Sequence, residues 1–400
     1  MGAGLARLGR LHDAMARHVA EGRAPGIVTA IWRRGELHLD AIGTMAMGSP
    51  AKMAPDTIFR IASLSKPVTA AATMILVEEC KLALDEPVTR LLPELADRKV
   101  LRNMDGPLDD TMPAARPITV RDLLTFRPGW GMKFGPPDTP FQKAVAELGI
   151  VGFGPPQHQT KIGPDEWLAK LGTLPLMCQP GERWLYNTGS YVLSVLVARA
   201  SGMGFESFLA ERLFDPLGMK DTGFHVPPAK LRRLATAYRP DAKTGVLNEI
   251  DSADAKSQVA TPPLFPDGAG GLVSTAEDYL AFGRMLLDGG KARGGRILSR
   301  PSVETMTTDQ LTPAQKALPA FGPTQWDNRG WGLGVEITTR RDDISATPGQ
   351  YGWVGGYGTA WRNDPREEMI AVLMTQRSEF PLFSSVHRDF WTATYQAIDD

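Results

Sequence analysis

Hydrophobic positions near the start of the chain recur three or four residues apart. Leu5, Leu8, Leu11, Met15 and Val19 share one face within Met1–Gly22, and charges are interleaved throughout. That spacing predicts an amphipathic helix, not a secretory leader, which needs a continuous apolar core. The period then changes. Between Gly26 and Gly43 two apolar or alternating runs flank a break around Arg33, Gly35 and Glu36, the pattern of a β-hairpin. A short apolar strand follows at Thr57–Ile61. From Ser63 to about Lys81, Val68, Ala71, Ala72, Ile75 and Leu76 keep the helical period, with Pro67 tolerated in the first turn.

From about Asp85 to Gly245 strand patterning mostly disappears. Helices are predicted at Val120–Phe126, Pro164–Leu171, Gly189–Ala200 and Phe205–Phe214, while Pro128–Gly163 reads as a long irregular stretch of a length usually reserved for functional loops. Strand character returns late. Gly270–Ser274 leads into a helix at Thr275–Asp288, and Trp331–Thr338, Tyr351–Asp364 and Glu368–Gln376 read as three successive antiparallel strands before a final helix, Leu382–Ile398. The expected organisation is therefore an α/β domain with an antiparallel sheet built from residues 1–84 and 246–400, and a mainly helical lobe, 85–245, with the active site in the cleft between them.

Composition narrows the function classes. The chain has 400 residues, 42% hydrophobic and 22% charged, with a net charge of −1. Such a mixed, nearly neutral charge distribution argues against nucleic acid and anionic membranes as partners. No run reaches the length of a membrane span, so the expectation is a cytoplasmic protein. Cys80 and Cys178, each among apolar neighbours, are expected to be buried free thiols. The six histidines show no paired spacing, which argues against a zinc hydrolase. No serine has glycine at both −2 and +2, which removes the nucleophile elbow of the α/β-hydrolases.

Three segments carry chemistry. In Ser63-Leu64-Ser65-Lys66 the serine and lysine fall on one helix face. A desolvated lysine is a base for a serine hydroxyl, and a serine at a helix N-terminus offers its own N–H to an oxyanion. The tetrapeptide alone is weak; chance supplies about one or two in a chain like this. The strand lead-in Phe59–Ala62 and the apolar helix behind it strengthen it. Tyr186, in Pro180-Gly181-Glu182-Arg183-Trp184-Leu185-Tyr186-Asn187-Thr188-Gly189, precedes a helix and suits a proton relay; an aromatic packing residue reads the same way. In Trp353-Val354-Gly355-Gly356-Tyr357-Gly358-Thr359, glycines within a strand permit close approach of a ligand, and the Gly356 N–H suits a second oxyanion donor.

In this order the three segments resemble the family VIII carboxylesterases, which share the fold of class C β-lactamases, D-aminopeptidases and penicillin-binding proteins. Ile118–Thr125, Pro216–Phe224 and Gly270–Thr275 resemble further segments of that family. The resemblance implies a β-lactamase/transpeptidase-like fold, Ser63 as nucleophile, Lys66 as its partner and Tyr186 as relay to the leaving group. It also implies an oxyanion hole from the N–H groups of Ser63 and Gly356, no metal and no cofactor. Lys66 and Tyr186 both remain candidates for the base, since a coupled pair titrates jointly.

Two departures bear on substrate. The usual Tyr-x-Asn has Thr188 where Asn is expected, with Asn187 one residue early, so either side chain is a candidate substrate contact. The Lys-Thr-Gly strand of the lactamases is replaced by Trp353-Val354-Gly355, which removes the cation for a β-lactam carboxylate and favours neutral esters over penicillins; the expected function is hydrolysis of short-chain acyl esters, with the acyl-chain preference itself not legible. A literal Lys243-Thr244-Gly245 lies in a polar turn and is read as a decoy. Phe126–Phe134 and Phe153 suggest an apolar wall. The alternatives are β-lactam or D-amino-acid amide hydrolysis on the same fold, and a slow-turnover β-lactam-binding sensor.

Overall fold

The computed structural model describes residues 5–133, 138–153, 160–378 and 384–399. The chain opens with α1 (Leu5–Ala20) and the hairpin β1 (Gly26–Arg33) and β2 (Glu36–Gly43). Its two-residue loop, Arg34 and Gly35, has φ of 47° and 94°, the doubly positive turn that matches the twist of paired strands. The short strand β3 (Phe59–Arg60) leads through a 3₁₀ turn, Ala62–Leu64, into α2 (Ser65–Glu78). That helix is apolar on all sides and buried from Ser65 to Leu76, as an element without a polar face must be.

The middle of the chain holds the ribbon β4 (Lys99–Leu101) and β5 (Thr111–Pro113), then α3 (Val120–Leu124), α4 (Pro140–Leu148), α5 (Pro164–Thr173), α6 (Thr188–Ser201), α7 (Phe205–Leu209) and α8 (Asp215–Leu217). A second ribbon, β6 (Ala237–Pro240) and β7 (Leu247–Asp251), follows, then β8 (Val273–Ser274) and α9 (Ala276–Leu287). The hairpin β9 (Lys291–Ala292) and β10 (Gly295–Arg296) precedes α10 (Arg300–Met306) and α11 (Pro313–Lys316). The last strands are β11 (Arg329–Trp331), β12 (Glu336–Thr338), β13 (Tyr351–Val354), β14 (Ala360–Asp364) and β15 (Met369–Met374), and α12 (Ser385–Tyr395) closes the described chain.

One sheet dominates, in the order β11-β12-β13-β14-β15-β1-β2. Every pair in it is antiparallel, and Val28 faces Met374 where the two ends of the chain meet. On one face, α1 and α12 bury Leu11, Met15, Phe390 and Trp391 against Ile27, Ile31 and Leu373. On the other, a continuous core runs from Val28 and Val372 through α2 to α6 and Trp167. No single helix is long and apolar enough to cross a membrane among the described residues.

Several expectations need correction. Trp331–Thr338 and Tyr351–Asp364 are each two strands, turning at Gly332–Val335 and Gly355–Thr359. Pro128–Gly163 contains α4, capped by the Thr139 hydroxyl, which accepts from Gln142 N at 3.3 Å, and ended by Gly149 at φ 64°. The span 85–245 carries three short strands, β4, β5 and β6. Cys80 is exposed in the turn after α2, while Cys178 is buried as expected. The start of the expected C-terminal helix, Leu382 and Phe383, lies outside the described residues, as does Phe134.

Candidate active site

The strand before Ser63 is fixed by Arg60, whose side chain is fully buried. Its guanidinium pairs with Asp251 and donates to the carbonyls of Ala235 and Ser252 at 2.7 and 2.9 Å and to Ser257 Oγ at 2.9 Å. The chain then turns sharply, with Ala62 at φ 45°, a conformation costing about 1 kcal/mol or more for a residue with a Cβ. Neighbouring segments hold it there. Ile61 N donates to Leu272 O at 3.0 Å, Thr359 Oγ1 donates to Ile61 O at 3.0 Å, and Tyr279 Oη donates to Leu64 O at 2.7 Å. Ser65 Oγ donates to Ala62 O at 2.7 Å and accepts from Leu272 N at 3.1 Å.

Ser63 emerges from this turn with its hydroxyl 3.0 Å from Lys66 Nζ. Lys66 is itself buried and donates to the Ala269 carbonyl at 2.5 Å. Burial pushes its ammonium down to about 7, against the opposing pull of Asp267. The same Nζ lies 4.6 Å from the centre of the Tyr186 ring. The Tyr186 hydroxyl accepts from Trp353 Nε1 at 2.9 Å. Burial raises the phenol well above its ordinary pKa, while the hydrogen bonds from Ser63 and Trp353 pull it back down. The neutral amine is thus accessible near neutrality and the phenolate is not.

Aromatic rings enclose Tyr186. Phe126, Trp184, Phe321 and Trp353 lie 5.6, 5.5, 4.9 and 5.6 Å from it, and Trp331 packs edge-on to Trp353 at 4.7 Å. Phe126, expected in the wall of the site, belongs to this group. Phe153 instead packs on Phe141 at 5.3 Å.

The structure thus brings Ser63, Lys66, Tyr186 and Trp353 together. Gly355 and Gly356 begin the turn between β13 and β14, just past the Trp353 strand. A Cβ on Gly355 would lie 2.3 Å from the Ile61 carbonyl, so glycine is required for β13 to dock beside the nucleophile turn. Among the described residues, neither Ser63 N nor Gly356 N donates to another backbone carbonyl outside the regular elements. Asn187 and Thr188, the candidate substrate contacts, share a backbone partner. Thr188 Oγ1 and Asn187 Nδ2 both donate to the Gly152 carbonyl, at 2.8 and 3.4 Å, with Asn187 at φ 89°. They tie the loop before α5 to the start of α6. Lys243, Thr244 and Gly245 form the exposed tip of the β6–β7 ribbon, closed on Asp241, with Thr244 N donating to its carboxylate at 2.8 Å.

Two groups around Lys66 escaped the sequence reading: its acceptor, the Ala269 carbonyl, and the buried Asp267. The nearby Gly270-Gly271 pair was the available signal, but a carbonyl has no side-chain signature and a lone Asp in a Gly-rich loop reads as a turn residue.

An antiparallel sheet flanked by helices, with a buried Ser-x-x-Lys helix in the adjoining core, is the β-lactamase/transpeptidase fold. The chain belongs to the beta-lactamase family, whose model matches residues 11–393. It is 41% identical to Protein Rv1367c of Mycobacterium tuberculosis (strain ATCC 25618 / H37Rv) over 374 residues, which is 91% of this chain and 89% of that one. It is 30% identical to esterase EstB of Burkholderia gladioli over 388 residues, covering 92% and 90% of the two chains. Among solved structures, EstCE1, a hydrolase with promiscuous acyltransferase activity, aligns with a TM-score of 0.80 at 24% identity, covering 97% and 98% of the two chains. Unliganded simvastatin synthase from Aspergillus terreus aligns with a TM-score of 0.77 at 22% identity, covering 98% of each. At these identities the two structures speak to the fold alone. The resemblance to the family VIII esterases read from the motifs accords with the family model and with EstB.

Proposed function

We propose that the protein is a carboxylesterase that cleaves short-chain esters through an acyl-enzyme on Ser63. One observation carries this reading: Ser63 Oγ lies 3.0 Å from a fully buried lysine whose ammonium has been brought down to about 7. Neutral Lys66 takes the Ser63 proton as Oγ bonds to the ester carbonyl carbon. The carbonyl oxygen becomes an oxyanion on the N–H groups of Ser63 and Gly356. The C–O bond to the alcohol then breaks, and Tyr186, whose ring lies 4.6 Å from Lys66 Nζ, gives its proton to the leaving oxygen and regains one from Lys66. Water repeats the sequence in reverse roles to release the acid. With its phenol far above neutrality, Tyr186 shuttles protons and Lys66 is the base.

Trp353 supports ester over β-lactam substrates. It offers Tyr186 a neutral donor where a lactamase-type lysine would offer a cation. A cavity of about 720 Å³ is lined by Trp184 and Phe321 of the ring cluster and by Met132, but not by Ser63, Lys66 or Tyr186.

The test is direct. A fluorophosphonate should add one phosphonyl group, mapped to the peptide carrying Ser63, and Ser63→Ala should leave less than a few per cent of the activity on a short-chain chromogenic ester while remaining folded. Labelling at another residue, or substantial activity in the variant, refutes the assignment. A second reading, acyl transfer to an alcohol in place of water, is favoured by relatives such as monacolin J acid methylbutanoyltransferase of Aspergillus terreus, 27% identical over 85% of this chain and 82% of that one. Added alcohol that diverts the acyl group into a new ester, at the expense of free acid, distinguishes the two.

A further inference from the structure

The Lys66 amine does not stand alone in its pocket. Its second hydrogen-bond partner, the Ala269 carbonyl, belongs to the loop Asp267-Gly268-Ala269-Gly270-Gly271, and that loop is wound around a carboxylate. Asp267 Oδ1 accepts from Ala269 N at 3.1 Å and from Gly270 N at 2.8 Å, and Gly271 N donates to the Asp267 carbonyl at 3.1 Å. A Cβ on Gly271 would come within 3.1 Å of Asp267 Oδ2, so the backbone closes directly over the second carboxylate oxygen. The loop is anchored on both sides. Thr69 Oγ1 of α2 donates to Gly268 O at 2.8 Å, and Gly268 N donates to Ser194 Oγ of α6 at 2.7 Å.

Asp267 is 3% exposed, and no arginine, lysine or histidine forms an ion pair with it among the described residues. Burying a carboxylate without a cation in contact is costly, and a turn of this shape forms equally well around serine or asparagine. Lys66 is the cation whose charge it feels. The remaining titratable groups facing the pair are phenols. Tyr186 lies against Lys66, and Tyr191 of α6 is raised by burial, by Asp267 and by Tyr186.

We propose that Asp267 is a positioning residue for acyl transfer, acting through Lys66: its loop presents the Ala269 carbonyl to the amine, and its carboxylate sets the pH at which that amine loses its proton. The inference rests on the reading of Lys66 as base. Burial alone would carry the amine below its present value of about 7; the carboxylate opposes that fall. Asp267 itself is pushed up to about 6 by burial, held down by its backbone donors and by Lys66. The two groups therefore titrate as a linked pair across the range in which the amine becomes a base.

The experiment uses the full chain and Asp267→Asn, which keeps the shape and one acceptor oxygen but removes the charge. The acid limb of the kcat/KM–pH profile on a short-chain ester should move down by about one pH unit. Two units below the wild-type midpoint, the variant would then keep about tenfold more of its own plateau activity than wild type does. An acid limb in the same place, in a variant with wild-type circular dichroism, overturns the proposal. A second measurement needs neither turnover nor the variant. The ε-carbon resonance of Lys66 in 13C-lysine-labelled wild-type protein, assigned with Lys66→Arg, should show its main inflection near 7 and a smaller one near 6 as Asp267 gains its proton. A single inflection overturns the coupling. If wild type hydrolyses no ester, the esterase reading fails while the resonance still decides this one.

Discussion

At the scale of single residues the site is a set of unfavourable placements held in register. Ala62 is turned into a left-handed conformation, Lys66 is stripped of water, and Tyr186 sits fully enclosed with one indole N–H on its hydroxyl. The lysine makes the cost measurable. In the unfolded chain it takes up a proton near 10.5; in the folded protein it does so only near 7. Between those values the unfolded state binds the extra proton, so the lysine destabilises the fold. The penalty is complete below pH 7 and is relieved as pH rises toward 10.5. Each unit of displacement is worth about 1.4 kcal/mol. Lys66→Met removes this pH-dependent penalty, and in exchange leaves the Ala269 carbonyl without its donor, a pH-independent cost of about 1–3 kcal/mol. The expected result is a Tm difference, variant minus wild type, that is largest near pH 7 and shrinks steadily toward pH 10. A difference that stays constant over that range would show that the lysine is charged in the folded protein. The pairing of Ser63 with Lys66 was legible in the sequence because a spacing of three puts both on one helix face. Asp267 was not, because the role proposed for it depends on what the fold places beside it.

At the scale of elements, function depends on how closely three backbone segments approach one another. The turn carrying Ser63, the end of β13 and the Gly270–Leu272 segment meet closely, joined by the Ser65 and Thr359 hydroxyls. The sequence signalled this through glycines inside an apolar run, and Gly355 does face the Ile61 carbonyl. It concealed the turns. In Tyr351–Asp364 the residues between the strands include Tyr357 and Thr359, both strand formers, so the reversal closed by Gly358 N donating to Gly355 O at 2.9 Å is not visible as a break. Gly334, at φ 77°, likewise bends Trp331–Thr338 where it passes α2, and a Cβ there would lie 2.5 Å from that of Ala70. In α4 the signals were present, Thr139 before Pro140 and Gly149 after Leu148, but lay inside a stretch dominated by proline and glycine. The close approach at Gly355 yields an expectation. Gly355→Ala must push β13 away from the Ser63 turn, because the carbonyl it meets is backbone and Thr359 Oγ1 would lie 2.1 Å away. Ester hydrolysis should fall at least about tenfold in kcat with a smaller effect on KM, since a displacement of an ångström or less misplaces the N–H groups proposed as oxyanion donors. Wild-type kcat in this variant would mean that β13 does not position the reaction.

At the scale of the whole molecule, the division into a sheet-bearing part and a helical part describes the secondary structure better than it describes the core. The sequence correctly joined the two chain ends in one sheet, because only strand patterns at both ends were available to pair, and β1 lies between β2 and β15. Yet α2, counted with the sheet by sequence position, packs on α6 of the helical span, and one apolar cluster includes Val28, Val372, Val68, Leu196 and Trp167. The helix that carries Lys66 therefore lies in a core shared by both parts, while α9 packs on β1, β14 and β15. Neither part retains its apolar face if the other unfolds, and an interface made of core differs from the small polar interfaces across which domains move independently. Equilibrium unfolding in urea should accordingly be one cooperative transition. Far-UV circular dichroism reports the helices. Tryptophan emission reports both spans, because Trp130 and Trp167 are buried in one while Trp331 and Trp361 are buried in the other. The two curves should coincide in midpoint and slope. Two separated transitions, with loss of ester hydrolysis following only one of them, would show that α2 belongs to a single part and that the active site is an interface between independent units.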